Sequence, residues 1–343
     1  MKKTEFTSLP GHRRIASAIA TLALFSTLGT AQAAVFKDAQ LESLQDAGKL
    51  VELEQVAQAR LKSNSADAES SAALSLALSF SDAGDGKRLD AGAKQAKLCV
   101  EQHPNMAVCH LASAQNLGLQ MINMGMAKAM RNVGTLKESW IRALDLDPSS
   151  FTARVQLAKL YLTVPGMMGG SVSKAKELEA AVRSSQPETA RIIRVHIAAE
   201  DKKWAVMESE LLGIKPSKDG AMLEEVREAT MQLARVYLKD NLAKAKSLYE
   251  GLHRDQPSKA SGSYGLSRVY AAQGQTDEAI RYLERARTLG GADELPVDHR
   301  LGDAYLAKGD KVQAKAAYER FIANKRANPA NVEEARKSLA KLG

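Results

Sequence analysis

Leu266-Ser267-Arg268-Val269-Tyr270, then Gly274-Gln275-Thr276-Asp277, then Ala279 with Ala286 seven residues on: this stretch carries a pattern that repeats through most of the chain. Leucine and tyrosine stand four apart, which on an α-helix puts both on one face, with a small residue beside them where a neighbour can approach. Glycine and polar residues then turn the chain. The alanines belong to a second helix folding back on the first. The opening five residues recur as Leu157-Ala158-Lys159-Leu160-Tyr161, Leu233-Ala234-Arg235-Val236-Tyr237 and Leu301-Gly302-Asp303-Ala304-Tyr305. Weaker copies start at Leu76 and Leu111, and a degenerate one at Val195. The leading residues are separated by 35, 46, 38, 38, 33 and 35 positions. The second-helix pair returns as Ala175/Val182, Ala245/Leu252 and Ala314/Phe321. Pro104, Pro148, Pro187 and Pro257 each follow such a pair, where a residue that cannot continue a helix separates one unit from the next.

These positions resemble the tetratricopeptide repeat, a helix-turn-helix unit of about 34 residues. The resemblance extends over roughly residues 65–343. It implies an all-α fold, a right-handed α-solenoid of about seven repeats whose first helices line a concave face. Residues 34–64 are expected to form an N-terminal helical cap, 65–330 the repeat array and 331–343 a closing helix, with Asn331 and Glu334 as a capping box. Thr276 and Asp310 are expected N-caps. Two departures fall on the turn side of the units: the 46-residue spacing around Gln120 to Val133, and the Pro165-Gly166-Met167-Met168-Gly169-Gly170-Ser171 insertion. In the insertion, Pro165 is expected to stop one helix, the glycines to take positive φ, and Ser171 or Ser173 to cap the next helix.

The chain has 343 residues, 45% hydrophobic and 26% charged, a balance that excludes disordered and multi-span membrane classes. Aromatics at 5% argue against an all-β fold and against a base-stacking surface. Residues 1–33 read as a secretory signal. Lys2, Lys3, Arg13 and Arg14 precede an uncharged stretch from Ile15 to Leu28 and a small-residue site at Ala31-Gln32-Ala33, which predicts cleavage between Ala33 and Ala34. The apolar stretch falls short of the ~20 residues that span a bilayer, so no stable membrane anchor is expected. Export to a bacterial periplasm follows as the expectation. The signal holds four basic residues and one acid, so its removal lowers the net charge from +8 to +5. No dense basic cluster with interleaved aromatics occurs, and a nucleic-acid partner is not expected.

In proteins with this repeat, residues two before and two after the repeat leucine point into the concave face. The resemblance therefore implies a partner-binding groove that includes Lys159, Ile193, Ile197, Met231, Arg235, Tyr264, Arg268 and His299. Cys109/Ser113 and Val155/Lys159 stand where the family's two-carboxylate clamp would need Lys and Asn, so that clamp is absent. The implied ligand is a protein or peptide segment with apolar anchors and some acidic character. Nothing in the sequence decides whether copies of the chain associate.

Catalytic and cofactor signatures are missing. The Gly-rich insertion lacks the Gly-Lys-Ser/Thr order of a phosphate loop, and the six histidines are scattered without a His-Glu-x-x-His spacing. Glu224, Glu225 and Glu228 read as a solvated helix face. The expectation is a non-catalytic interaction scaffold without cofactor. Met121, Met124 and Met126 offer an alternative from another class, Cu(I) capture by thioethers, against the plainer reading of methionines filling an irregular helical region. Cys99 and Cys109 are the only cysteines. Pairing in an oxidising compartment and separate burial as small apolar residues both fit them.

Overall fold

The computed structural model describes residues 35–82, 85–217, 219–324 and 326–342. The proposed signal, residues 1–33, and its cleavage point lie outside the described residues. Seventeen α-helices and two short 3-10 turns make up the described secondary structure, with no strand among the described residues. Two compact units divide after Val226.

The first unit contains α1 (Ala39–Asp46), α2 (Leu50–Ser63), α3 (Ala68–Ser81), α4 (Gly86–Gln102), α5 (Ala107–Asn123), α6 (Met126–Leu146), α7 (Phe151–Thr163), α8 (Val172–Ala180), α9 (Pro187–Glu200) and α10 (Trp204–Leu212). It also takes the opening turns of α11 (Gly220–Asp240). Pairs α3/α4, α5/α6, α7/α8 and α9/α10 pack internally and against their sequence neighbours, as expected of stacked repeats. The second unit holds the rest of α11, α12 (Leu242–Asp255), α13 (Ala260–Ala272), α14 (Thr276–Arg287), α15 (Val297–Ala307), α16 (Lys311–Ala323) and α17 (Pro329–Ala340). The 46-residue spacing resolves into two long helices, α5 and α6, joined by Met124-Gly125.

Residues of the repeated pattern sit where the periodicity puts them. Leu157, Leu233, Leu266 and Leu301 are buried, as are Ala158, Ala234, Ser267, Gly302 and the facing Ala175, Ala245, Ala279 and Ala314. Close approach explains the small residues. A Cβ on Gly302 would lie 2.4 Å from the Tyr318 ring, and one on Gly265 would lie 1.9 Å from the Tyr249 ring. The turns inside the last two pairs use Gly274 at φ 74° and Gly309 at φ 83°, the left-handed conformation that ends a helix cheaply only for glycine.

Two helix starts differ from expectation. Asp310 caps α16 by accepting from the Gln313 N–H at 3.0 Å, but Thr276 lies inside α14, whose N-cap position is Gln275. The Gln275 N–H is bonded back to Tyr270 O at 2.9 Å, so the chain re-enters the helix one residue early. The closing helix starts at Pro329, with Asn328 as its cap accepting from the Ala330 N–H at 2.9 Å, not at Asn331. Proline at the first helical position suits this start, because its missing N–H would have had no helical partner. In the Gly-rich insertion, a 3-10 turn over Gly166–Met168 leads to Gly169 at φ 89°, and Ser171 caps α8 on Lys174 N at 3.2 Å.

Before α1, the chain is pinned at its backbone. Val35 and Phe36 donate to the Glu42 carboxylate at 3.2 and 2.8 Å, and Lys37 and Asp38 donate to Glu69 at 3.2 and 2.7 Å. Burial pushes the Glu42 carboxyl up to about 7; the Asp46 and Asp219 carboxylates push the same way, and the two N–H donors push against them. Below about pH 4.5 the group is protonated whether the chain is folded or unfolded. Between 4.5 and 7 only the folded state keeps the proton, so stability falls as pH rises through this window. In urea unfolding, the stability that wild type holds over Glu42→Gln should therefore be lower at pH 7.5 than at pH 5, by about 1–2 kcal/mol after solvent screening is allowed for, the comparison cancelling the opposite contribution of the histidines whose pKa burial lowers. The Glu42→Gln variant should lose this component, and an identical pH profile in the variant would refute the assignment.

Candidate functional site

In the first unit, the face expected to receive a partner is filled by the chain itself. Val155 and Ile193 are fully buried and Ile197 packs against the same apolar cluster, which also takes Met222, Ala221 and Val226 from α11 and Val35 from the N-terminal segment. Ile193 is therefore a core residue, which corrects its assignment to an open groove.

Lys159 is corrected in the same way. It is 5% exposed, and its ammonium contacts Glu225 of α11 at 3.0 and 3.2 Å. Glu225, read from sequence as part of a solvated face, is 1% exposed and is the hub of this cluster. Gln156 Nε2 donates to Glu225 Oε1 at 2.8 Å, and His196 Nε2 lies 2.8 Å from Oε2. Burial alone would raise the Glu225 carboxyl, yet the Lys159 ammonium and the His196 contact hold it below the usual carboxylate range. Burial lowers the pKa of His196, so the neutral ring donates its Nε2–H to the carboxylate. One carboxylate thus balances one ammonium across α7, α9 and α11. The cluster is an internal tie, and Lys159 has no charge to offer a partner.

The second unit presents a different face. Met231 and Tyr264 are each 7% exposed, whereas Arg235 is exposed and Arg268 half-buried. His299 is 2% exposed and stacks on Phe321 at 5.3 Å, so it belongs to the core of the last pair and not to a groove. Burial pulls its pKa down, with Asp303 acting in the opposite direction. Arg268 Nη1 donates to the Tyr264 hydroxyl at 3.3 Å. Arg300, one residue before the repeat leucine and not anticipated from sequence, donates to Asp303 at 2.7 Å. Tyr318 Oη donates to the other Asp303 oxygen at 2.9 Å. Arg235 and Arg268 both act on the Tyr249 phenol, which burial pushes up to about 12. Elsewhere in this unit, Tyr270 and Tyr282 stack at 5.2 Å with Lys246 and Arg281 over their rings, so those ring faces are occupied.

The methionines and cysteines are placed plainly. Met121 is 1% exposed in the core of the first unit, Met124 packs against that core, and Met126 opens α6. Cys99, in the last turns of α4, and Cys109, in the first turn of α5, are joined by a disulfide between two successive repeats. Among the described residues, no group of three or more His, Cys, Asp or Glu side chains is arranged to hold a metal ion. No described helix is long and apolar enough to cross a membrane.

Comparison with known proteins follows the same division. Family models described as tetratricopeptide repeat match residues 260–289 and 298–324, which are the α13/α14 and α15/α16 pairs. No curated protein matches the chain by sequence. Among solved structures, yeast Tom70 superposes with a TM-score of 0.61 at 13% identity, covering 96% of this chain and 69% of its own. A human IFIT1 dimer with PPP-AAAA gives 0.50 at 14% identity, covering 86% of this chain and 69% of its own. A tetratricopeptide repeat protein from Parabacteroides merdae gives 0.44 at 14% identity, covering 79% of this chain and 99% of its own. At these identities the likeness bears on fold alone. Two helical pairs are matched as tetratricopeptide repeats, the remaining pairs are built on the same buried leucines and small residues, and the chain thus carries tetratricopeptide repeats.

Proposed function

We propose that this protein is a non-catalytic scaffold of the bacterial cell envelope that holds a protein or peptide segment against the first-helix faces of its repeats. The observation that carries the reading is the contrast between its two units. The first has closed its face with its own α11, whereas the second leaves arginines on a face built by matched tetratricopeptide repeats. Stacked helical pairs provide a broad surface that recognises extended or helical segments through side chains at fixed spacing. The Cys99–Cys109 disulfide supports an oxidising compartment, in keeping with the signal-like residues 1–33.

In-cell crosslinking of a tagged full-length chain, followed by fractionation and mass determination, tests both parts. The expected product starts at Ala34, resides in the periplasmic fraction and carries one reproducible protein partner. An uncleaved chain in the cytoplasm would refute the location. A processed chain with no partner at any crosslinker dose would refute the scaffold reading.

A further inference from the structure

Four successive backbone N–H groups ahead of α1 are divided between two glutamates. Lys37 and Asp38 donate to Glu69 of α3, while Val35 and Phe36 donate to Glu42 of α1 at 3.2 and 2.8 Å. The segment is seated as well as bonded. Phe36 is 2% exposed among residues of α2 and α3, and Val35 packs against two apolar clusters of the first unit. Glu42 itself is half-buried and receives neutral donors only. Among the described residues no lysine, arginine or histidine is ion-paired with it. Arg60 of α2 is taken by Asp38 at 2.7 Å, Lys49 by Glu52 at 3.2 Å, and the Lys37 side chain is exposed. Asp46 of α1 and Asp219 ahead of α11 add negative charge around Glu42, and Glu69 supplies a further carboxylate on α3.

A charge of the missing sign lies one residue away in a processed chain. Hydrolysis of the Ala33–Ala34 bond by a processing peptidase consumes one water, leaving a carboxylate on the released signal and an α-ammonium on Ala34. Standard bond lengths keep the nitrogens of adjacent residues within about 4 Å of each other in any conformation. The new ammonium therefore stands within about 4 Å of the Val35 nitrogen, which already touches the Glu42 carboxylate. An opposite charge so close, at a half-buried place, favours the ionised form of both groups. Before hydrolysis Ala34 offers only a neutral amide, and Glu42 keeps its proton up to about 7.

We propose that Glu42 is the receptor for the α-ammonium created at Ala34, so that loss of residues 1–33 locks segment 35–38 onto the first unit, on the reading that the chain is exported and processed. The lock is absent from the precursor and forms once, when the signal leaves. Pairing raises the α-ammonium above its ordinary range of about 7.7–8.0. Its contribution is complete below that range and is lost as pH rises through the raised value. The proton that Glu42 gains on folding belongs to the full-length chain. In the processed chain the ammonium keeps the carboxylate ionised, and the fall in stability tied to that proton disappears.

Protein recovered from the periplasm, with its first residue fixed by intact mass, provides the test. The rate of α-amine acetylation, followed against pH, should place the amine at least about one pH unit higher in the folded than in the denatured chain. Glu42→Gln should return it to the denatured value, and Glu42→Asp, whose shorter side chain draws the carboxylate back, should fall between. At pH 7, selective acetylation of the α-amine should raise the urea-unfolding equilibrium constant about tenfold in wild type and leave it unchanged in Glu42→Gln. A carboxylate that merely caps two backbone N–H groups would not respond to the charge on Ala34.

A start at Ala34 with an amine that titrates alike in folded and denatured protein overturns the lock and leaves export standing. A start elsewhere overturns the cleavage reading and the lock together. Persistence, in the processed chain, of the loss of stability from pH 5 to 7.5 relative to Glu42→Gln also overturns it. If Glu42→Gln fails to fold, the comparison of folded with denatured wild type still decides.

Discussion

Replacing Glu225 with alanine should lower the stability of the folded chain by about 3–5 kcal/mol, since it strands the Lys159 ammonium in the core with no carboxylate beside it. The carboxylate currently receives Lys159, Gln156 and His196, each within 3.2 Å. Taking away the acceptor leaves three buried polar groups to find other partners or to lose their hydrogen bonds, and the lysine can relieve its own cost only by giving up its proton. Removing both charges is a different matter. Lys159→Met combined with Glu225→Leu restores apolar packing and leaves His196 neutral, so this double variant should recover much of the loss. Urea unfolding followed by circular dichroism reads both. A Glu225→Ala midpoint equal to wild type would mean that water reaches the cluster, and the buried tie would have to be abandoned.

Loss of the disulfide comes next in size. Cys99 and Cys109 are separated by 10 positions, a small loop whose closure restricts the unfolded chain. The chain-entropy relation gives about 2–3 kcal/mol for a loop of this length. Cys99→Ala with Cys109→Ala is expected to reduce stability by that amount, plus a lesser cost for the space vacated by two fully buried sulfurs. Alanine is preferred to serine here because it adds no buried hydroxyl. Thiol titration of the denatured wild-type protein should find no free cysteine. Two titratable thiols, together with an unchanged unfolding midpoint in the double variant, would remove the cross-link from the account.

Sequence legibility followed the range of the interactions. Pairing of helices was readable at Leu157, Leu233, Leu266 and Leu301 because each leucine, its small neighbour and the facing alanine recur within a single unit. Helix starts were less so, since Gln275 and Asn328 act through local backbone geometry that neighbouring residues imitate. The groove misled for a different reason. Lys159 has the period of a groove residue, but its partner Glu225 lies 66 positions away, and nothing local distinguishes a buried glutamate from the exposed ones around it. His299 has the groove period too, yet its ring is claimed by Phe321 on the following helix. Arg235 and Arg268 were legible because both hold the groove period, whereas Arg300, which donates to Asp303, stands off the periodic positions.

The filled face of the first unit carries a consequence for affinity. Met222 and Val226 are covalently tethered to the helices they cover, so they compete for that surface as an intramolecular occupant. A tether of this kind presents its segment at an effective concentration of about a millimolar. An outside peptide of equal intrinsic affinity, in the micromolar range, would then read about a thousandfold weaker there than its contacts alone would give. Self-occupancy silences that surface without removing it.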